Sequence, residues 1–130
     1  FFLWPLNKVR HALGCAIHIR SGIRSVSHEL DMGRSGTSQH CFWPESKGAG
    51  DVALTPSSST RASNSDLFKL AQLLAQQPFT RICFYPKSQF FHLDYNSTIK
   101  SFYIDLEDGA GWSRVEPNEF YKGVLNNGFA

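Results

Sequence analysis

Apolar positions fall at Leu6, Val9, Ala12 and Leu13, beside the aliphatic stem of Arg10, and Gly14 follows. That spacing predicts a short amphipathic helix over residues 7–13, stopped by the glycine. Residues 15–20 alternate and carry branched side chains, which predicts a strand broken at Ser21-Gly22. A helical turn is expected over 25–30 with Ser25 as its cap, and a glycine-containing loop over 32–37. Residues 51–54 predict a short central strand, and the Ser/Thr-rich stretch 56–64 a surface loop. Leu67, Phe68, Leu70, Ala71, Leu73, Leu74 and Ala75 give one apolar face to a helix over 65–77. Asn64 or Ser65 would cap it, and Pro78 would end it. Residues 81–85 and 90–94 predict two strands of a hairpin turned at Pro86-Lys87-Ser88-Gln89. A further strand is expected over 101–106, and 107–130 carries no assignable pattern. No repeat is visible. The sum is an α+β domain: a small antiparallel sheet with helices packed on one face.

Length and composition agree with a single domain spanning 1–130. The 130 residues are 42% hydrophobic and 14% aromatic, with 11 Phe, enough for one packed core. A net charge of +2 gives no argument for a nucleic-acid partner. No apolar run approaches the roughly 20 residues that cross a bilayer. The opening Phe-Phe-Leu-Trp-Pro-Leu is short and has no basic leader, so it does not read as a signal peptide. Cys15, Cys41 and Cys83 lack CxxC spacing and are expected to be small buried residues rather than a disulfide or zinc-knuckle set.

Three other residues change the picture. His40 stands in Thr37-Ser38-Gln39-His40, Asp51 in Gly48-Ala49-Gly50-Asp51, and His92 in Phe90-Phe91-His92-Leu93-Asp94. Two imidazoles and one carboxylate can hold a zinc ion and leave its fourth position open to water, the ligand count of a hydrolytic site. Taken singly, each candidate is weak, since a lone histidine is more often a surface or hydrogen-bonded core side chain. Asp94 lies two positions beyond His92 on a strand and therefore shares its face. There it could accept the second ring N–H of a ligand histidine, accept a proton from bound water, or simply form a salt bridge.

The ordered set resembles the M15 family of zinc peptidases, the D-Ala-D-Ala carboxypeptidase and L-Ala-D-Glu endopeptidase group that includes phage-type members. The family pattern is Ser-Gly-Tyr-Arg-Ser, then S-x-H-x-x-G-x-A-x-D, then a strand bearing a histidine. Here the matching residues are Ser21-Gly22-Ile23-Arg24-Ser25, Ser38-Gln39-His40, Ala49-Gly50-Asp51 and Phe91-His92-Leu93-Asp94. The resemblance covers roughly residues 3–95. It implies a fold like that of the hedgehog and D-Ala-D-Ala peptidase domains, with Zn2+ on His40, Asp51 and His92. It also implies an Arg24 that steadies the tetrahedral intermediate, a Ser38 near substrate, and a catalytic or orienting role for Asp94. The implied activity is hydrolysis of peptidoglycan stem peptides at the bacterial cell wall, by a separate enzyme or as part of a larger phage or viral protein.

Two positions depart from the family pattern. Residues 41–47 lengthen the segment from His40 to Asp51, and Lys47 stands at the usual glycine. Phe42-Trp43-Pro44 in that insertion would form a groove wall or a hydrophobic anchor. Gln89 stands where many members carry a carboxylate base, and an amide cannot take a proton at neutral pH. Asp94, Glu45 and His28 are the alternative bases. Two other outcomes stay open: a zinc-bound relative without turnover that binds peptide or serves as a structural module, and a small binding domain without metal.

Overall fold

The computed structural model describes residues 3–21 and 48–127. The first helix, α1 (Leu3–Leu13), begins earlier than the apolar spacing predicts. Pro5 is tolerated there because first-turn N–H groups have no helical acceptor to lose. The helix ends as expected at Gly14, whose φ of 79° suits a residue without Cβ and whose N–H donates to the Arg10 carbonyl at 3.0 Å. Strand β1 (His18–Ser21) and strand β2 (Ala49–Ala53) follow. Helix α2 (Asn64–Ala75) is capped by Ser63, one residue before the expected cap, whose hydroxyl accepts the Asp66 N–H at 3.2 Å.

The hairpin of β3 (Arg81–Tyr85) and β4 (Phe90–Asp94) has the expected bounds. Strand β5 (Ser101–Asp105) starts where expected and ends one residue earlier. The unassigned C-terminal stretch contains strand β6 (Trp112–Val115) and helix α3 (Pro117–Leu125). Pro117 opens α3 where its missing N–H costs nothing, and the Glu119 carboxylate accepts the Glu116 N–H at 3.1 Å.

The six strands form one sheet in the order β1-β2-β4-β3-β5-β6. It is mixed, so the antiparallel expectation holds for every pair except β3 and β5, which run parallel. The cause is the short connection after β4. It leaves β4 at the end where β3 begins, crosses that end, and so starts β5 in the direction of β3. Thr80 joins the three strands there. Its N–H donates to Asp94 O at 2.9 Å, and its carbonyl accepts from Ser101 N at 2.7 Å.

The two faces of the sheet differ completely. Val52, Ile82, Phe84, Phe91, Leu93, Phe102 and Ile104 point into one hydrophobic core. The same core receives Leu6 and Val9 from α1, Leu67, Leu70, Ala71 and Leu74 from α2, and Phe120 and Val124 from α3. All three described helices therefore cover one face. The alternate positions Asp51, Arg81, Cys83, Tyr85, His92, Asp94, Tyr103 and Trp112 lie outside that core. Cys83 is buried as expected, whereas Cys15 is exposed in the turn after α1; Cys41 lies outside the described residues. Among the described residues no helix is long and apolar enough to cross a membrane.

Candidate metal centre

Strand register brings two of the three candidate ligands, Asp51 and His92, together. Asp51 on β2 is paired with His92 on β4, and His92 is paired with Cys83 on β3. Directly paired residues share a face, so residues remote in the chain meet across neighbouring strands. His92 Nδ1 lies 3.0 Å from Asp51 Oδ1, and His92 Nε2 lies 2.7 Å from Asp94 Oδ2. The imidazole is thus held between two carboxylates, and the residue is only 6% exposed.

Asp94 is fixed from several sides. Arg81 Nε donates to its Oδ1 at 2.9 Å, Arg81 Nη2 to its Oδ2 at 2.8 Å, and the Asn96 N–H to its Oδ1 at 2.9 Å. Such a forked guanidinium contact is geometrically specific as well as strong. Burial alone would raise the Asp94 pKa. The hydrogen bonds from His92, Arg81 and Asn96 outweigh it and bring the carboxyl down to about 2. Burial likewise disfavours the charged form of His92, but its two carboxylate partners prevail and raise its pKa. The hydrogen bonds to Asp94 raise the Arg81 pKa still further.

An ionised Asp94 can only accept, so Nε2 is the ring nitrogen that carries hydrogen. Nδ1 then faces the Asp51 carboxylate. Two electron-rich atoms 3.0 Å apart require a positive species between them, either a proton or a metal ion. Adjacent ligand atoms of a tetrahedral zinc with bonds of about 2 Å stand about 3.3 Å apart, so the pair fits such an ion. A carboxylate behind the ligating imidazole is also the usual arrangement in zinc sites.

Asp51 and His92 supply two donors. Among the described residues no group of three His, Cys, Asp or Glu side chains is arranged to hold a metal. His40, the third candidate ligand, lies outside the described residues, as do Arg24, Ser38, Glu45 and His28. Gln89 is described, and it serves the turn between β3 and β4. It has a φ of 55° and is 3% exposed, and its amide bonds the Ala62 backbone in both directions, at 2.8 and 3.1 Å. That side chain is committed away from His92.

Sequence reasoning missed Arg81 and Trp112. Arg81 was within reach, because a hairpin closing at Tyr85 and Phe90 places residue 81 opposite residue 94. Trp112 had no such signal. Its indole centroid lies 5.1 Å from the His92 ring and 5.0 Å from the Arg81 guanidinium carbon. Its Nε1–H donates to the Tyr85 hydroxyl at 2.7 Å.

A histidine and a carboxylate thus converge on one spot of the sheet face, with a second carboxylate behind the imidazole. Among known families, Peptidase M15 matches residues 2–94. The chain belongs to the M15 peptidase family, whose members are generally zinc-dependent. No curated protein and no solved structure matches it. The matched segment ends with β4, so β5, β6 and α3 follow it in the chain.

Proposed function

We propose that the protein is a zinc-dependent peptidase that cleaves peptide bonds in the stem peptides of bacterial peptidoglycan, acting at the cell wall. The convergence of Asp51 and His92 at 3.0 Å, with Asp94 behind the imidazole, carries this reading. Asp51 and His92 hold the ion together with His40. When bound, zinc polarises a carbonyl and brings water to a pKa of about 7.

The protein's own groups do the rest. Asp94 keeps the hydrogen on Nε2 and so keeps the Nδ1 lone pair available. It is a positioning residue and not the base, because a carboxyl at about 2 that already accepts from Arg81, His92 and Asn96 takes a proton poorly. The proton acceptor then falls to Glu45 or His28. Arg24 donates to the oxygen on which negative charge grows, and Ser38 contacts the substrate backbone.

A second reading is a zinc-binding relative with weak or no turnover that works as a peptide-binding or structural module. The engagement of Gln89 with Ala62 favours it, since the usual base position is both an amide and turned away. Clearing of a purified peptidoglycan suspension, with a chelator control, separates the two readings. The peptidase reading expects clearing that stops with chelator and returns with zinc. It also expects Arg24→Ala to lose turnover while keeping zinc. Turnover untouched in Arg24→Ala removes the oxyanion role. Absence of any released stem peptide from zinc-loaded protein refutes the peptidase reading.

A further inference from the structure

The segment beyond the family match does more than extend the sheet. β5 lies beside β3, and β6 pairs with β5 as the sheet's outer strand, with Asp105 opposite Trp112. The turn joining β5 to β6 is tightly specified. Gly109 and Gly111 have φ of 90° and 78°, and Glu107 has 59°. Asp105 accepts the Glu107 N–H at 2.8 Å, and Asp108 accepts the Ala110 N–H at 3.0 Å. The Glu107 carboxylate then reaches the β3–β4 turn, accepting from Ser88 N at 3.1 Å and Ser88 Oγ at 2.6 Å. The C-terminal strands are therefore fastened to the hairpin that carries Arg81, His92 and Asp94.

What this fastening delivers is Trp112. The Arg81 guanidinium carbon lies over its indole at 5.0 Å from the centroid, and the His92 ring centroid lies 5.1 Å away. Tyr103 packs against it at 5.0 Å, and Tyr85 accepts its N–H. A guanidinium held against an aromatic face loses the freedom to swing away from its carboxylate. Asp94 in turn sets which nitrogen of His92 faces Asp51.

We propose that Trp112 is a positioning residue of the metal centre: it holds Arg81 on Asp94, and thereby holds His92 ready for the ion. The proposal rests on the metal-site reading above. Carboxylates behind metal-ligating histidines typically change metal affinity 10- to 100-fold when lost, and a group acting one step further back belongs at the lower end.

The test is zinc affinity of the full chain, measured by competition with a chromophoric chelator, with circular dichroism as the check on folding. Trp112→Ala is expected to weaken zinc binding about tenfold. Trp112→Phe, which keeps an aromatic face over Arg81, is expected to restore most of that loss. Arg81→Lys, which keeps the charge but not the planar fork, should weaken zinc in the same direction and serves if Trp112→Ala does not fold. A spectroscopic readout accompanies these. With Trp4 and Trp43 replaced by Phe, Trp112 is the sole tryptophan of the chain's 3, and stoichiometric Co2+ should quench its emission. Zinc affinity unchanged in folded Trp112→Ala, or in Arg81→Lys, overturns the proposal. So does Co2+ that binds at one per chain without quenching Trp112. Absence of metal binding by the wild-type chain overturns the metal-site reading itself, and the proposal with it.

Discussion

Asp94→Ala removes a fully buried carboxylate and leaves its donors behind. The Arg81 guanidinium, the His92 Nε2–H and the Asn96 N–H all lose their acceptor at once. Breaking a buried ion pair by deleting one partner costs about 3–5 kcal/mol. The Arg81 side chain is 18% exposed and can regain some water, which places the loss near the lower end, about 3 kcal/mol. Asp94→Asn keeps the shape and one acceptor oxygen but loses the charge. The difference between charged and neutral hydrogen bonds sets its cost at about 1–2 kcal/mol. Urea unfolding of chelator-treated protein measures both, as a lower midpoint with an unchanged slope.

The pH dependence follows from the lowered carboxyl pKa. The unfolded value is about 3.9 and the folded value about 2. The stabilisation from ionised Asp94 is thus fully present above about pH 4 and is lost as pH falls through about 2. The gap between wild type and Asp94→Asn should narrow across that acid window. Because Asp94 also helps raise the His92 pKa, the gap should narrow again as pH rises through the raised His92 value. Zinc affinity of Asp94→Asn and Asp94→Ala should also fall by about 10- to 100-fold. An Asp94→Ala protein within about 0.5 kcal/mol of wild type, with zinc affinity unchanged, refutes the network as described.

The remaining tests address other parts of the account. Gln89→Glu puts a carboxylate at the position where many M15 members carry their base, but a carboxylate cannot donate to the Ala62 carbonyl. It should lower the melting temperature without raising turnover, and a gain in turnover would return that position to the active site. Phe91→Ala empties a buried place against Phe84 and Phe120 and should cost about 3–5 kcal/mol in chemical denaturation. A loss below about 1 kcal/mol would mean the core does not centre on β4.

The local elements were largely legible because their signals are local. The apolar stripe of α2, the glycine stop of α1 and the alternation of the β3–β4 hairpin each lie within one short window. The pairing of Asp51 with His92 was legible only through the ordered family motif, since no periodicity reveals which strands become neighbours. The parallel alignment of β3 with β5 was not legible. It is set by the crossover at Thr80, a tertiary event with no propensity signature. Trp112 escaped for a related reason. β6 has a half-buried, exposed, exposed, half-buried pattern that gives no clean alternation, and the indole meets His92 only once β5 and β6 are in place. Gln89 was legible as part of the turn between the two strands, and its positive φ and bonds to Ala62 give it that place.

Metal content after exhaustive dialysis, measured on wild type beside Asp51→Ala and His92→Ala, bears most directly on the central claim. The account predicts about one zinc per wild-type chain, and none in either variant while both keep their secondary structure. Zinc retained by folded His92→Ala, or absent from the wild type after loading, would contradict it.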